Sequence, residues 1–195
     1  VAADDGQQGH AAARPAGVDD AHRDGVQRQA HQVQRQAEGR AEDALAHFEQ
    51  AALEDLDEEA LVLHVSGRLL QARQTSRAIA LLDRATHSHH APAIYLAWLG
   101  LARMQEGNLE AAIAANRAAL RRDPTLLLAY QNLFAILTEQ HAQADTLKLI
   151  QEAAVQTSAD PSFFATVADL YAGYTRLNPD QAEAVKAPTL ELLNH

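Results

Sequence analysis

The apolar residues of this chain recur at two spacings, one of about 3.6 residues and one of 34 residues. The shorter spacing is typical of amphipathic helices. It predicts a helix over residues 39–53, and then helices over 59–72, 76–85, 93–105, 109–121, 125–139, 143–156 and 161–174. Helices of this length joined by short turns are typical of antiparallel pairs.

The longer spacing becomes visible when the chain is written in rows of 34 residues that begin at Gly25, Glu59, Ala93, Leu127 and Pro161. A fixed period of this length predicts a repeat array, in which each unit buries its apolar face against its neighbours. The clearest sign is the twenty-seventh place, which is alanine in every row: Ala51, Ala85, Ala119, Ala153 and Ala187.

Residues 93–124 resemble a tetratricopeptide repeat, a helix–turn–helix unit of 34 residues. The resemblance extends over about residues 39–187, and it departs from the family pattern at Arg103 and Asn116. It implies an all-α, right-handed superhelical solenoid of antiparallel helix pairs, with units near 25–58, 59–92, 93–126, 127–160 and 161–195. The residues that carry it occupy the family's large, small and turn places: Leu96, Leu99, Gly100, Gly107, Ala112, Ala119 and Pro124.

The fourth row departs furthest from the pattern. Phe134 stands where a small residue belongs, and Thr146 replaces alanine. We expect looser packing or a changed superhelical angle there.

The N-terminal segment is polar, because residues 1–44 contain no Leu, Ile, Met, Phe, Tyr or Trp. Such a segment buries too little apolar surface to offset its ordering entropy. We expect residues 1–38 to be disordered, or to be translated from the wrong reading frame, and residues 39–195 to form the repeat domain.

Turn and capping residues separate the predicted helices of the array. Gly107 and Asn108 break the middle pair, since glycine accepts the left-handed conformation that ends a helix. Asp123-Pro124 and Asp160-Pro161 each place a capping carboxylate before a proline at the first helical position. Asn178-Pro179 repeats this arrangement, and Pro188 is expected to end the last helix.

Composition excludes several classes of partner. The net charge is −10 with only two lysines, so nucleic acid and anionic membrane surfaces are not expected partners. Cysteine is absent, which excludes disulfides and thiolate metal sites. The longest run free of charge and strong polarity, 91–102, is too short to span a membrane. No signal peptide is visible, which favours the cytoplasm.

No motif points to catalysis. The run His87-Ser88-His89-His90 reads as a solvated turn and not as a metal site, since zinc sites usually need four rigid ligands. The acidic run 54–59 reads as a polar turn and the start of a helix. We therefore expect no enzyme activity, no catalytic residue, no metal and no cofactor.

The resemblance also implies a binding surface, because the first helix of each tetratricopeptide unit lines a concave groove. The candidate places hold no Lys or Arg, so a clamp for a C-terminal carboxylate is not supported. Trp98 and Met104 suit an amphipathic helix as anchors, although they would equally suit packing between units. The candidates are Leu63, His64, Ile94, Trp98, Leu101, Met104, Leu128, Gln131, Asn132 and Asp169.

These features predict a non-catalytic scaffold or adaptor that binds a peptide or amphipathic helix of another protein. One alternative is the tetratricopeptide portion of a larger enzyme, such as a glycosyl- or sulfotransferase, cut off before its catalytic domain, which the unfinished look of residues 190–195 motivates. Another is self-association through exposed ends of the solenoid.

Overall fold

The computed structural model describes residues 16–88, 90–156, 160–181, 183 and 185, and these contain α-helices and no strand. Contacts divide the chain into two compact units, Val1–Ala44 and Leu45–His195. The helices are α1 (Ala16–Glu54), α2 (Glu59–Gln71), α3 (Thr75–Thr86), α4 (Ala93–Glu106), α5 (Leu109–Arg122), α6 (Leu127–Glu139), α7 (Gln143–Ala154) and α8 (Pro161–Leu177), followed by a 3₁₀ turn over Pro179–Gln181.

The second unit confirms the predicted fold class, an all-α helical repeat solenoid. Helices α2 and α3, α4 and α5, and α6 and α7 form successive pairs, and each pair packs on the next. The 34-residue register is visible in burial, because Ala85, Ala119 and Ala153 are all fully buried. Alanine at these places lets the helices approach closely, and leucines such as Leu99 fill the remaining space.

The helices of the second unit form two layers. We call α2, α4, α6 and α8 the A layer, and α3, α5 and α7 the B layer. Neighbouring A-layer helices contact one another, whereas among the described residues no two B-layer helices approach as closely. A longer side chain bridges one gap in the B layer, where Arg117 of α5 forms an ion pair with Glu152 of α7. The A layer is therefore the inner side of the stack.

Helix α1 differs from the predicted pattern. The helix expected over 39–53 begins at Ala16 instead, and Gly39 lies in its interior with no atom near its missing Cβ. Residues 1–15 lie outside the described part of the chain, as do Ala187 and Pro188, so disorder of residues 1–38 stays a prediction.

The caps are partly as predicted. Asp160 caps α8 by accepting a hydrogen bond from Ser162 N at 2.8 Å, with Pro161 at the first helical position. The prediction for Asp123-Pro124 was wrong, because α6 begins only at Leu127. Asp123 instead accepts hydrogen bonds from the backbone N and the hydroxyl of Thr125, and so closes a local turn before the helix.

One turn geometry recurs inside the second, third and fourth rows. The fifteenth place of each row has positive φ: Arg73 at 57°, Gly107 at 85° and His141 at 54°. In each case this residue donates a backbone bond three residues back, and the next residue donates one five residues back. This is the Schellman ending of a helix. Of the three residues, only Gly107 predicted this helix ending from the sequence.

Phe134 in the fourth row is half-buried against the apolar core around Tyr130 and Leu133. A Cβ on Gly173 of α8 would lie 3.2 Å from the Phe134 Cζ atom. The space that the ring needs is therefore supplied by a glycine in the following row.

Candidate partner-binding surface on the A layer

Six of the ten predicted groove residues share one environment. Each is partly buried on an A-layer helix and keeps part of its surface accessible. Four of them rest on the core that includes Val65, Leu69 and Leu99, and Leu128 rests on the small cluster of Ala97, Ala119 and Ala129. The six are Leu63, Ile94, Trp98, Leu101, Met104 and Leu128.

Trp98 connects two neighbouring repeats of the array. A Cβ on Gly67 of α2 would lie 3.3 Å from the Cη2 atom of the indole of Trp98, so the ring lies directly on the glycine. The ring is only partly buried by this contact. Trp98 therefore packs between repeats and keeps an accessible aromatic surface, and its predicted role as an anchor for a partner stays a prediction.

Asn132 lies elsewhere than predicted. It is 5% exposed, and its Nδ2 donates to Ala97 O at 3.0 Å and to Asn116 Oδ1 at 2.9 Å. Because both of its amide hydrogens are used inside the array, the predicted hydrogen bonds from this amide to a partner's backbone are not available. Asn132 instead ties three consecutive helices, α4, α5 and α6, together.

The remaining predicted residues, His64, Gln131 and Asp169, are exposed. Asp169 lies on a face of α8 that otherwise carries small side chains, with Ala165 and Ala172 exposed on either side. The surface thus changes along the stack. It is apolar on α2 and α4, uncharged and polar at Gln131, and acidic at Asp169.

Sequence reasoning missed Gly67 and Gly173, which receive the rings of Trp98 and Phe134. A signal was present, because each glycine replaces a larger residue on a helix of the row next to a bulky aromatic. Reading the rows pairwise, and not one at a time, would have found both contacts.

Tyr95 has a strongly shifted pKa and lies against the turn between α1 and α2. The Tyr95 hydroxyl donates to Leu56 O at 3.1 Å. Burial raises the pKa of Tyr95 to about 12, and the carboxylates of Glu59, Asp57, Glu58 and Asp55 add to this shift. The turn between α1 and α2 is therefore strongly negative.

The histidine run lies nearby, in the turn between α3 and α4. Ser88 donates to Asp57, and the Nδ1 atom of His87 is 2.6 Å from Asp83 O. His89 lies outside the described residues. Among the residues that the structure describes, no three His, Asp or Glu side chains are grouped so as to hold a metal ion.

None of the helices in the described ranges is long and apolar enough to cross a membrane.

No protein-family model matches this chain, and no curated protein matches its sequence. Among solved structures, a crystal structure of MamA is 16% identical to it, covers 83% of this chain and 93% of its own, and superposes with a TM-score of 0.53. A second MamA crystal structure is 16% identical, covers 82% and 86%, and has a TM-score of 0.54.

The C-terminal part of a TPR repeat-containing protein from Cytophaga hutchinsonii is 18% identical and covers 77% of this chain and 58% of its own, with a TM-score of 0.49. At such low identities it is the fold that the MamA structures share with this chain. Together with the 34-residue register, they place the fold among tetratricopeptide-like helical repeats.

Proposed function

We propose that this protein is a non-catalytic scaffold or adaptor of the tetratricopeptide family, and that its A layer binds a peptide or amphipathic helix of another protein. The observation that carries the proposal is the set of six half-buried apolar side chains on adjacent A-layer helices. Apolar surface that is held in place by a core but still accessible is typical of protein-binding sites.

Binding would bury apolar side chains of the partner against Leu63, Trp98, Leu101 and Met104. A flat aromatic ring and a flexible thioether adapt to the ridges of an amphipathic helix. The exposed Gln131 would fix the register of the bound segment by hydrogen bonds to its polar groups. Asn132 would not take part, because its amide hydrogens are used inside the array. His64 on α2 and Asp169 on α8 would contact the two ends of the bound segment.

A scaffold function is also supported by the sequence. It has no cysteine nucleophile and no glycine-rich phosphate loop. Helical repeats of this type present extended surfaces, and such surfaces suit segments of other proteins better than small substrates.

The proposal is tested by using the full chain as bait in the native lysate, beside the double variant Trp98→Ala/Leu101→Ala. Each truncation removes apolar contact area, and we expect each to weaken a partner by more than about 1 kcal/mol. Quantitative mass spectrometry of the captured proteins is the measurement. A partner retained by the wild type and lost from the double variant supports the proposal.

The matched control is Val155→Ala/Leu177→Ala, which truncates two apolar side chains that are 74% and 61% exposed outside the A-layer surface. Far-UV circular dichroism and urea unfolding show that all the chains remain folded. Equal capture by the wild type and by Trp98→Ala/Leu101→Ala would contradict the assignment of this surface.

A further inference from the structure

The repeat register reveals one uncovered surface at the beginning of the second unit. In the second, third and fourth rows the twenty-fourth and twenty-seventh places are 0% exposed. In the first row the same places are Phe48, which is 52% exposed, and Ala51, which is also exposed. We call Phe48 and Ala51 the open edge. The buried counterparts are Leu82, Asn116 and Ile150, and Ala85, Ala119 and Ala153.

In the other rows, the first helix of the same pair packs against the helix that carries these places. The clearest case is Gly100 of α4, where a Cβ would lie within 2.6 Å of Asn116 Cγ on α5. That arrangement requires the turn that separates the two helices of a row, and α1 has no such turn between Ala16 and Glu54. Within the described residues of the second unit, which begins at Leu45, no helix precedes the open edge in the way that α2, α4 and α6 precede its counterparts.

The charge beside the open edge restricts what can cover it. Within eight residues after Ala51 the chain carries five carboxylates, and among the described residues none of them forms an ion pair with an arginine or lysine. Four of them, those of Asp55, Asp57, Glu58 and Glu59, help burial to raise the pKa of Tyr95. The carboxylates belong to Glu54, Asp55, Asp57, Glu58 and Glu59.

A second copy of this chain is a poor match for this edge, because it would bring a net charge of −10 to a surface that is itself acidic. A basic segment is the complementary choice. Because paired helices are antiparallel, the N-terminal end of a covering helix would lie beside the end of α1 and the acidic turn. The positive end of its dipole would add to the attraction.

We propose that the open edge docks an amphipathic helix of a partner protein in the position that the first helix occupies in the other rows. Apolar residues of that helix cover Phe48 and Ala51, and basic residues in its first turn face the carboxylates of 54–59. This surface is separate from the A-layer surface described above, so the inference does not rest on the proposed function.

The test uses two labelled synthetic peptides with the same Ala/Leu amphipathic helical sequence, one with two lysines and one with two glutamates in the first turn. Fluorescence anisotropy measures their binding to the full chain at low and moderate salt. We expect the lysine peptide to bind about ten-fold more tightly at low salt, and this preference to shrink as salt rises.

Variants locate the site. Phe48→Ala is expected to weaken the lysine peptide about ten-fold, and Glu58→Gln/Glu59→Gln to remove most of the preference for lysine. The matched control is Leu177→Ala, which truncates a similarly exposed apolar side chain and is expected to bind like the wild type.

Three results would overturn the inference. They are no binding of either peptide, equal binding by Phe48→Ala and the wild type, and sedimentation showing that Phe48→Ala converts a dimer into a monomer. The last would make a second copy the occupant. Because Phe48 is exposed, its truncation leaves the fold intact, which circular dichroism verifies.

Discussion

At the scale of single residues, the buried side chains of Asn116 and Asn132 are hydrogen-bonded to each other, and that of Asn116 fits into the space that Gly100 leaves. Asn116 donates from Nδ2 to Ala112 O at 2.8 Å and accepts from Asn132 through Oδ1. A buried amide is tolerated only when its hydrogen bonds are satisfied, and the absence of a side chain at Gly100 leaves room for this one. The departure at Asn116 from the family pattern is thus compensated by a neighbour on each side.

Gly100→Ala should destabilise the second unit, because the added methyl group would overlap the Asn116 carboxamide. Overpacking of this kind costs about 1–3 kcal/mol. Urea unfolding monitored by circular dichroism measures the change. Gly39→Ala is the matched control, since nothing lies within 4 Å of its missing Cβ and alanine favours a helix interior.

The double variant Gly100→Ala/Asn116→Ala tests whether overlap with the Asn116 carboxamide causes the loss of stability. With the carboxamide removed, the methyl group has space, so the two changes should cost less together than the sum of their separate costs. Strictly additive costs would contradict the contact between Gly100 and Asn116.

Tyr95 should make stability depend on pH in the alkaline range. The unfolded chain loses the phenolic proton near pH 10.0, whereas the folded protein keeps it to about pH 12. The unfolded state therefore binds fewer protons in this window, and the stability present below pH 10 falls as pH rises towards 12. Urea midpoints between pH 9 and pH 11.5 measure the decline.

Tyr95→Phe is expected to lower stability at neutral pH by about 1 kcal/mol, through loss of the hydrogen bond to Leu56 O, and to flatten the alkaline decline. If the stability of Tyr95→Phe falls with rising pH as steeply as that of the wild type, Tyr95 is not responsible for the alkaline decline.

At the scale of helices and turns, periodicity located every helix after α1, because each has an apolar face that recurs over several turns. The ends were harder to predict. Asp123-Pro124 has the composition of a helix start, yet the carboxylate bonds to Thr125 and the helix begins three residues after Pro124. Local hydrogen bonds of this kind compete with capping, and composition does not distinguish them.

Arg73→Gly and His141→Gly should each stabilise the protein. Both residues have positive φ at the place where the third row has Gly107, a conformation that costs a residue with a Cβ about 1–2 kcal/mol. Glycine also raises the entropy of the unfolded chain, so we expect a net gain of about 0.5–1 kcal/mol per site. Thermal and urea unfolding measure it.

Gly107→Ala is the converse variant and should lose about 1 kcal/mol, since it introduces the same strain. A loss of stability in both Arg73→Gly and His141→Gly would show that these two side chains contribute more than their backbone strain costs.

At the scale of the whole molecule, the 34-residue register predicted the solenoid and its close helix contacts, since burial follows place number in the second, third and fourth rows. It did not predict the burial of Asn132, because that depends on the amide at Asn116 in another helix. Contacts between rows are set by pairs of side chains, and a single-row pattern contains no information about them.

The central claim is that the A layer binds a protein segment beside Trp98, and Trp98 is the only tryptophan of the chain. Its fluorescence therefore reports directly on that surface. The measurement is the Trp98 emission of the full chain titrated with a partner obtained by capture. We predict a blue shift and reduced quenching by acrylamide, as the half-exposed ring loses contact with water.

Two exposed alanines provide the matched pair, Ala135→Arg on the A-layer helix α6 and Ala114→Arg on the B-layer helix α5. The account predicts that the A-layer arginine abolishes the spectral shift and that the B-layer arginine leaves it unchanged. A partner that binds the wild type while the Trp98 emission stays constant, or that binds Ala135→Arg as tightly as the wild type, would contradict the claim.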